Sequence, residues 1–495
     1  MLADLDRLGP ELAVMVTAGL ILLADLALPR GRKKQLAALA LAGLAASAAW
    51  LLVLMARDRE GAFFSDSMVL DNFSIFFVFL FLGVAAAVIL ASLDYAARFG
   101  PREGEFYALL MVATSGMMLL AGSRDLIAIF VALEMTSIAQ FIMAGMLRDD
   151  RGAEAALKYL LLGAVASAVI LYGMAFLFGL SGTTRLVTTD GSQSIYDTVV
   201  SGDAGIRSAL IVSMVFLAAG FGFKMAIVPF QMWTPDVYEG APTPVAAFLS
   251  VGSKGAAFAV VLRIFYEGFG PDTFVGDDWQ NMFAALAAVT MTVGNVMALR
   301  QGNIRRMLGY SSIAQAGNFL VGLAAVSSAS DGGTQLGASA VVFFLATYAF
   351  TNLGAFFAVM AISNRTGSDE IADYAGMGRR APIPAAVLLF CLLSLTGLPP
   401  TAGFIAKLYI FNAAVQADLV WLVVVAVLNT AISAFYYLGV ARQMYLEPGE
   451  GEAAVFPSSP ALEGLLVVAA LGVLAFGVYP MPLIEAAQQA AEASS

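Results

Sequence analysis

Runs of about 20 or more apolar residues recur from one end of this chain to the other, enough for each to cross a hydrocarbon core of roughly 30 Å as a helix. About fourteen are legible, near 10–29, 36–56, 70–97, 105–122, 125–147, 153–180, 206–232, 244–267, 279–299, 307–328, 336–363, 382–412, 416–441 and 461–484. The chain is 60% hydrophobic and 13% charged, against about 25% charged in soluble domains, which leaves no room for a separate soluble domain. The expectation is an all-α polytopic membrane protein, one integral domain over 1–495. The first run stops at Arg30, Arg32, Lys33 and Lys34 with no small-residue cleavage site before them, and reads as a retained helix.

Absent residues exclude several chemistries. With no histidine there is no imidazole for haem, zinc or a Ser-His pair, and Cys391 alone excludes an intrachain disulfide or a protein-only Cys-ligated iron–sulfur cluster. Gly220-Phe221-Gly222 starts like a dinucleotide fingerprint, but Met225 breaks it and no βαβ unit surrounds it. A net charge of -10 argues against nucleic acid. Redox chemistry belongs on another chain, and no cofactor is expected on this one.

Lysine and arginine mark the inner side of a membrane protein. Here they crowd the loops after odd-numbered spans (Arg98, Arg102, Arg148, Arg151, Arg300, Arg305, Arg306, Arg379 and Arg380 with the first cluster) and thin out on the other side. Both termini are therefore expected outside, with the 233–244 hairpin inside. Pro229 interrupts the seventh span and Gly397-Leu398-Pro399-Pro400 the twelfth, five spans apart. Five is odd, so spans four to eight and nine to thirteen form two inverted five-helix units, and paired broken helices in such repeats point to an ion path. The expected divisions are 1–103, 104–268, 269–445 and 446–495.

A lysine at the centre of a membrane helix costs about 2.5–3.5 kcal/mol, so ionisable residues in the spans carry the functional reading. Lys224 and Lys254 lie too deep to snorkel. Glu134 is near the middle of the fifth span; the bland alternative is a carboxylate paired for packing. Lys158 is only about six residues into the sixth span and within reach of the inner surface, but Glu134 on the adjacent helix offers it a partner. Lys407 follows the second break and reads either as a relay group or as an outer-interface anchor. Arg263 and Glu267 sit near a span end and read as interface anchors. Asn295, Gln315, Asn318, Tyr348, Asn352, Asn429 and Tyr436 are polar groups within the second unit; such groups mostly hydrogen-bond between helices, at about 0.6 kcal/mol each.

The stretch PFQMWTPDVYEGAPTP, 229–244, continuing to Ser253-Lys254, resembles the N-type antiporter-like membrane subunit of respiratory complex I. SLTGLPPTAGFIAK, Ser394 to Lys407, resembles the interrupted twelfth helix of the same family. The likeness covers nearly the whole chain. WTPDVY stands where L- and M-type relatives carry WLPDAH, which favours the N type. The resemblance implies a proton-translocating subunit of NADH:quinone oxidoreductase, multi-pass in the bacterial cytoplasmic (inner) membrane. Its relay would be Glu134, Lys158, Lys224, Lys254 and Lys407. NADH, FMN, iron–sulfur clusters and quinone would sit on partner subunits, and its partners would be the other membrane and peripheral subunits, including neighbouring antiporter-like ones, and the lipid bilayer. Burial disfavours a charged side chain, which lets a buried lysine load and release a proton. Three alternatives stay open: an Mrp-type cation/proton antiporter subunit, the equivalent subunit of a ferredoxin-dependent photosynthetic complex, and a structural subunit whose charges only fix helix register.

Overall fold

The computed structural model describes residues 2–28, 34–202, 204–325, 336–449 and 459–493. Arg30, Arg32 and Lys33, on which part of the expected orientation rests, lie outside them. Helices α1 (Leu2–Arg7), α2 (Gly9–Ala27) and α3 (Lys34–Ala56) lead into a small antiparallel hairpin, β1 (Gly61–Phe63) and β2 (Met68–Leu70). Then come α4 (Asn72–Ala91), α5 (Glu103–Gly122), α6 (Leu126–Ala144), α7 (Asp150–Ser181), α8 (Ile195–Ser201), α9 (Ala204–Met225), α10 (Trp233–Gly240), α11 (Thr243–Phe248) and α12 (Lys254–Leu262). The rest of the chain forms α13 (Gly276–Ala298), α14 (Ile304–Ala324), α15 (Leu336–Thr366), α16 (Met377–Arg380), α17 (Pro382–Thr396), α18 (Ala402–Gln416), α19 (Val420–Tyr445), α20 (Pro460–Val478) and α21 (Met481–Glu492).

Among the described residues, twelve helical stretches are long and apolar enough to cross a membrane. α14, which carries Arg305, Arg306, Ser311, Ser312, Gln315 and Asn318, is not among them, and neither are α17 and α18, of 15 residues each. α11 and α12 belong to one rod, Thr243–Phe269, whose Leu249–Ser253 and Arg263–Phe269 segments are π-helical. Every residue of that rod is buried, and α15 lies beside it at the centre. α7, α19 and α20 instead turn Val165, Leu428 and Leu471 outward, as helices facing hydrocarbon or another membrane chain do.

The seventh span was expected to run to about 232, but α9 stops at Met225. Ala226 adopts φ +61°, and Pro229 has no N–H to continue the ladder. The expected polar hairpin over Trp233–Pro244 is corrected too: it is mostly α10, with Trp233, Thr234, Val237 and Tyr238 buried. Trp233 and Val237 stand one turn apart, so the short helix has an apolar face that packs between α7 and α14. Further along, α17 ends at Thr396, where Gly397 at φ +88° donates its N–H to the Leu393 and Ser394 carbonyls, 3.0 and 2.9 Å away. The polar loop expected over 181–205 contains α8. The expected polar tail is the amphipathic α21, which buries Ala487, Ala490 and Ala491.

Two distant junctions are built alike. Asp125 caps α6 by accepting from the N–H groups of Ile127 and Ala128, and Asn303 caps α14 by accepting from Arg305 and Arg306. The Leu126 N–H donates to the Thr184 carbonyl at 2.8 Å, and the Ile304 N–H donates to the Asp369 carbonyl at 2.8 Å. Isolated bridges join Asp125 to Arg185 and Asn303 to Glu370.

Candidate functional site

Lys224 sits in the last turn of α9, immediately before the break, and is 5% exposed. Its ammonium lies 5.2 Å from the Phe141 ring centroid and 5.3 Å from that of Tyr159, within cation–π range. Nζ has no hydrogen-bond partner among the described residues. Trp233 fixes the surroundings: its Nε1 donates to the Phe223 carbonyl at 2.8 Å, and its ring stacks on Tyr159 at 4.5 Å. The Val228 N–H, inside the break, donates to Thr290 Oγ1 at 3.1 Å and ties the loop to α13. Glu134 is half-buried on α6 and accepts from Ser167 Oγ; it makes no hydrogen bond to Lys224.

Lys158 corrects an expectation. Its Nζ pairs with Glu154 and with Asp236 of α10, 2.7 Å from each, and not with Glu134. The α7 residue that faces Glu134 is Ser167, nine positions or about 13 Å further along the helix. Asp236 also takes Arg306 of α14 at 2.6 Å, so this one carboxylate joins α7 and α14. Lys158 therefore lies at the edge of the site, its side chain 42% exposed.

Lys254 follows the π-helical turn directly and is 2% exposed. π-Turns within α-helices gather at functional positions because they displace side chains from the regular ladder. Nζ donates to the carbonyl and to Oγ of Ser312 on α14. Tyr348 donates to the same Oγ at 3.0 Å, and the Tyr238 hydroxyl lies 3.4 Å from it. On the other side, Gln140 Oε1 accepts from Tyr159 and from Ser253, 3.0 Å each, and so bridges the Lys224 surroundings to the residue before Lys254.

Lys407 lies on α18 and folds back over Gly397, where a Cβ would stand 2.9 Å from its Cδ. Nζ donates to the Thr396 carbonyl at 2.9 Å and to Thr430 Oγ1 at 3.2 Å. A helix C-terminus leaves carbonyls without intrahelical partners and carries partial negative charge, so it suits a cation. At 5% exposure this is not a lysine reaching for an interface. A small polar cavity beside it is lined by Asn295, Gln315, Asn318, Asn429 and Thr430. Tyr436 donates to Asn295 Oδ1 at 2.9 Å, Asn295 Nδ2 to Asn429 Oδ1 at 3.1 Å, and Asn429 Nδ2 to Thr292 at 3.1 Å. The hydroxyls of Ser311 and Tyr437 pair between α14 and α19.

The structure thus places one set of polar groups, Tyr159, Gln140 and Ser253, between the surroundings of Lys224 and Lys254, and a second set around the cavity at Lys407. Asp236, Tyr159, Gln140, Ser253 and Ser312 were not singled out from the sequence. Serines in apolar helices usually bond back to their own carbonyls, so nothing distinguishes Ser312 before its neighbours are known. Arg263 and Glu267 are not interface anchors. Arg263 is fully buried and pairs with Asp71 at 2.8 Å and with Glu267, which also takes Arg124 at 2.6 Å.

Residues 123–433 match the family described as NADH:quinone oxidoreductase/Mrp antiporter, transmembrane. The chain is 43% identical over 490 residues to NADH-quinone oxidoreductase subunit N of Dehalococcoides mccartyi, with 99% of each chain covered. Among solved structures it is similar to a chain of respiratory complex I from Thermus thermophilus with bound aureothin, at TM-score 0.78 and 32% identity, covering 96% of this chain and 98% of that one. It also shares the fold of a chain of the Mrp complex from Dietzia sp. DQ12-45-1b, at TM-score 0.83 and 20% identity, covering 99% and 97%.

Proposed function

This chain belongs to the NADH:quinone oxidoreductase/Mrp antiporter transmembrane family, and we infer from its likeness to subunit N that it is a proton-translocating membrane subunit of an NADH:quinone oxidoreductase. Its partners are the other subunits of that complex. The Mrp-type alternative is less favoured, because the likeness to the Mrp chain reaches 20% identity against 43% to subunit N. As a translocase subunit it moves protons while redox chemistry proceeds elsewhere; a sequence with no histidine and one cysteine supports placing every redox centre on partner subunits.

The observation that carries the mechanism is the alignment of three buried lysines with two broken helices. Lys224 stands at the C-terminal end of α9, Lys407 reaches from α18 to the C-terminal end of α17, and Lys254 stands behind a π-turn. In this reading Glu134 favours the loaded form of Lys224. Release from that influence sends the proton past Tyr159, Gln140 and Ser253 to Lys254. From Lys254 it crosses the hydroxyls of α14 and α19 to the cavity at Lys407 and leaves outward. Lys158, held by Asp236, feeds or positions the inner end rather than sharing a proton with Glu134.

Fourteen spans follow if α14 is added to the twelve apolar stretches, and α17 with α18 is counted as one broken span. The matching caps and bridges at Asp125 and Asn303 support the two inverted units, 104–268 and 269–445, flanked by 1–103 and 446–495. Both termini then face the periplasm. The 233–244 segment is too buried to report sidedness, so exposed loop positions serve better. A cysteine at Gln193 is expected to label from the periplasmic side and one at Arg300 only after permeabilisation, in a Cys391→Ser background. The reverse pattern rules out this orientation.

Lys407 tests the relay directly. A relay needs a group that can lose its proton, and arginine is effectively never deprotonated. Lys407→Arg and Lys407→Ala are both expected to lower NADH-driven proton pumping several-fold at matched amounts of assembled complex. Full pumping in Lys407→Arg beside a damaged Lys407→Ala takes Lys407 off the proton path.

A further inference from the structure

We propose that Ser312 is a positioning residue for proton transfer at Lys254, and that it takes in the second unit the place that Glu134 takes in the first. This rests on the relay reading above. The correspondence comes from the two matched junctions. Glu134 lies nine residues after the N-cap Asp125 of α6, and Ser312 lies nine residues after the N-cap Asn303 of α14. Both helices start from a side-chain cap and a backbone bridge to the loop beyond the next helix, so equal counts place the two residues at equal depth along equivalent helices. Glu134 makes no hydrogen bond to Lys224, whereas Ser312 touches Lys254 with both its carbonyl and its hydroxyl.

The difference between carboxylate and hydroxyl has a chemical consequence. An ammonium only donates, so the Ser312 oxygen must accept while Lys254 is loaded. A neutral amine has a lone pair, and the same hydroxyl can turn and donate to it. Tyr348 and Tyr238 remain beside the oxygen in either state. Ser312 is fully buried, so no bulk water replaces it. A hydroxyl therefore satisfies Lys254 before and after the proton leaves. An ionised carboxylate can only accept, so it leaves the lone pair of the neutral amine without a donor, and its charge would hold the proton there. Lys224 thus has a carboxylate from its own unit near it, and Lys254 a reversible hydroxyl partner supplied by the second unit.

The test uses the whole complex in inverted membrane vesicles, with NADH-driven pumping and NADH:quinone activity read at matched amounts of assembled enzyme. Ser312→Thr keeps the hydroxyl and is expected to pump within twofold of the parent. Ser312→Ala is expected to fall several-fold, and Ser312→Asp at least tenfold, with the proton trapped at Lys254. Lys254→Ala is measured alongside. Normal pumping by Ser312→Ala and Ser312→Asp beside a stalled Lys254→Ala overturns the role of Ser312 and leaves the relay standing. Normal pumping by Lys254→Ala removes the relay itself. If Ser312→Asp does not assemble, the alanine and threonine variants still decide: equal loss in both means that Ser312 only packs.

Discussion

Lys254→Ala and Lys224→Ala are each expected to lower NADH-driven proton pumping at least tenfold, with quinone reduction falling alongside it and the amount of assembled complex nearly unchanged. The structure explains why assembly should survive. Among the described residues Lys224 Nζ makes no hydrogen bond, so its removal leaves no hydrogen-bond partner unsatisfied. Removing Lys254 leaves the Ser312 hydroxyl with Tyr348 and Tyr238. Truncating a buried lysine creates a cavity, but it also removes a desolvated charge, and these effects on stability oppose each other. Pumping and quinone reduction would be measured in inverted vesicles at matched complex levels. An unchanged proton-to-electron ratio at full turnover in both variants would falsify the relay.

Arg263→Met should behave in the opposite way, lowering assembly rather than coupling. Among the described residues it leaves the buried Glu267 and the half-buried Asp71 with Arg124 alone to oppose them. Removing one partner of a buried ionic group typically costs about 3–5 kcal/mol, because the remaining charge is uncompensated. This network joins the start of α4, the α5–α6 turn and the end of the Thr243–Phe269 rod, so its loss loosens three elements together. The amount of assembled complex on native gels should fall several-fold, and removing the opposed charge as well, in Arg263→Met/Glu267→Leu, should recover part of it. Wild-type amounts and thermal midpoint in Arg263→Met would show that the network contributes nothing to stability.

Much of this was legible in the sequence for physical reasons. Hydrocarbon forces long apolar runs, so most spans could be read to within a few residues. The breaks were signalled by Pro229 and by Gly397 to Pro400, and the deep lysines by their cost. What failed were readings that need a third dimension. Lys158 and Glu134 lie on adjacent helices, and nothing in their spacing says that Ser167 faces the glutamate. Arg263 and Glu267 lie near a span end, where exposure is the ordinary expectation; their burial depends on Asp71 and Arg124, far away in sequence. The Trp233–Gly240 segment carries two prolines and two acidic residues within or beside it and reads as a loop, but its aromatic and aliphatic residues fall on one helical face. The run near 307–328 reads as a span in the sequence, but α14 is not among the twelve stretches apolar enough to cross a membrane, because its polar residues Ser311, Ser312, Gln315 and Asn318 lower its hydropathy.

The position of α10 gives the molecule a mechanical property. Asp236 is gripped by Lys158 from one side and by Arg306 from the other, while Arg305 holds the Ala241 carbonyl at 2.8 Å. The loop that carries the first break thus ends in a short lever tied to both α7 and α14. A lever gripped at both ends transmits displacement rather than absorbing it. The path from α14 to Lys224 is short: the ion pair at Asp236, then Trp233, then its stack with Tyr159, the wall against which Lys224 rests.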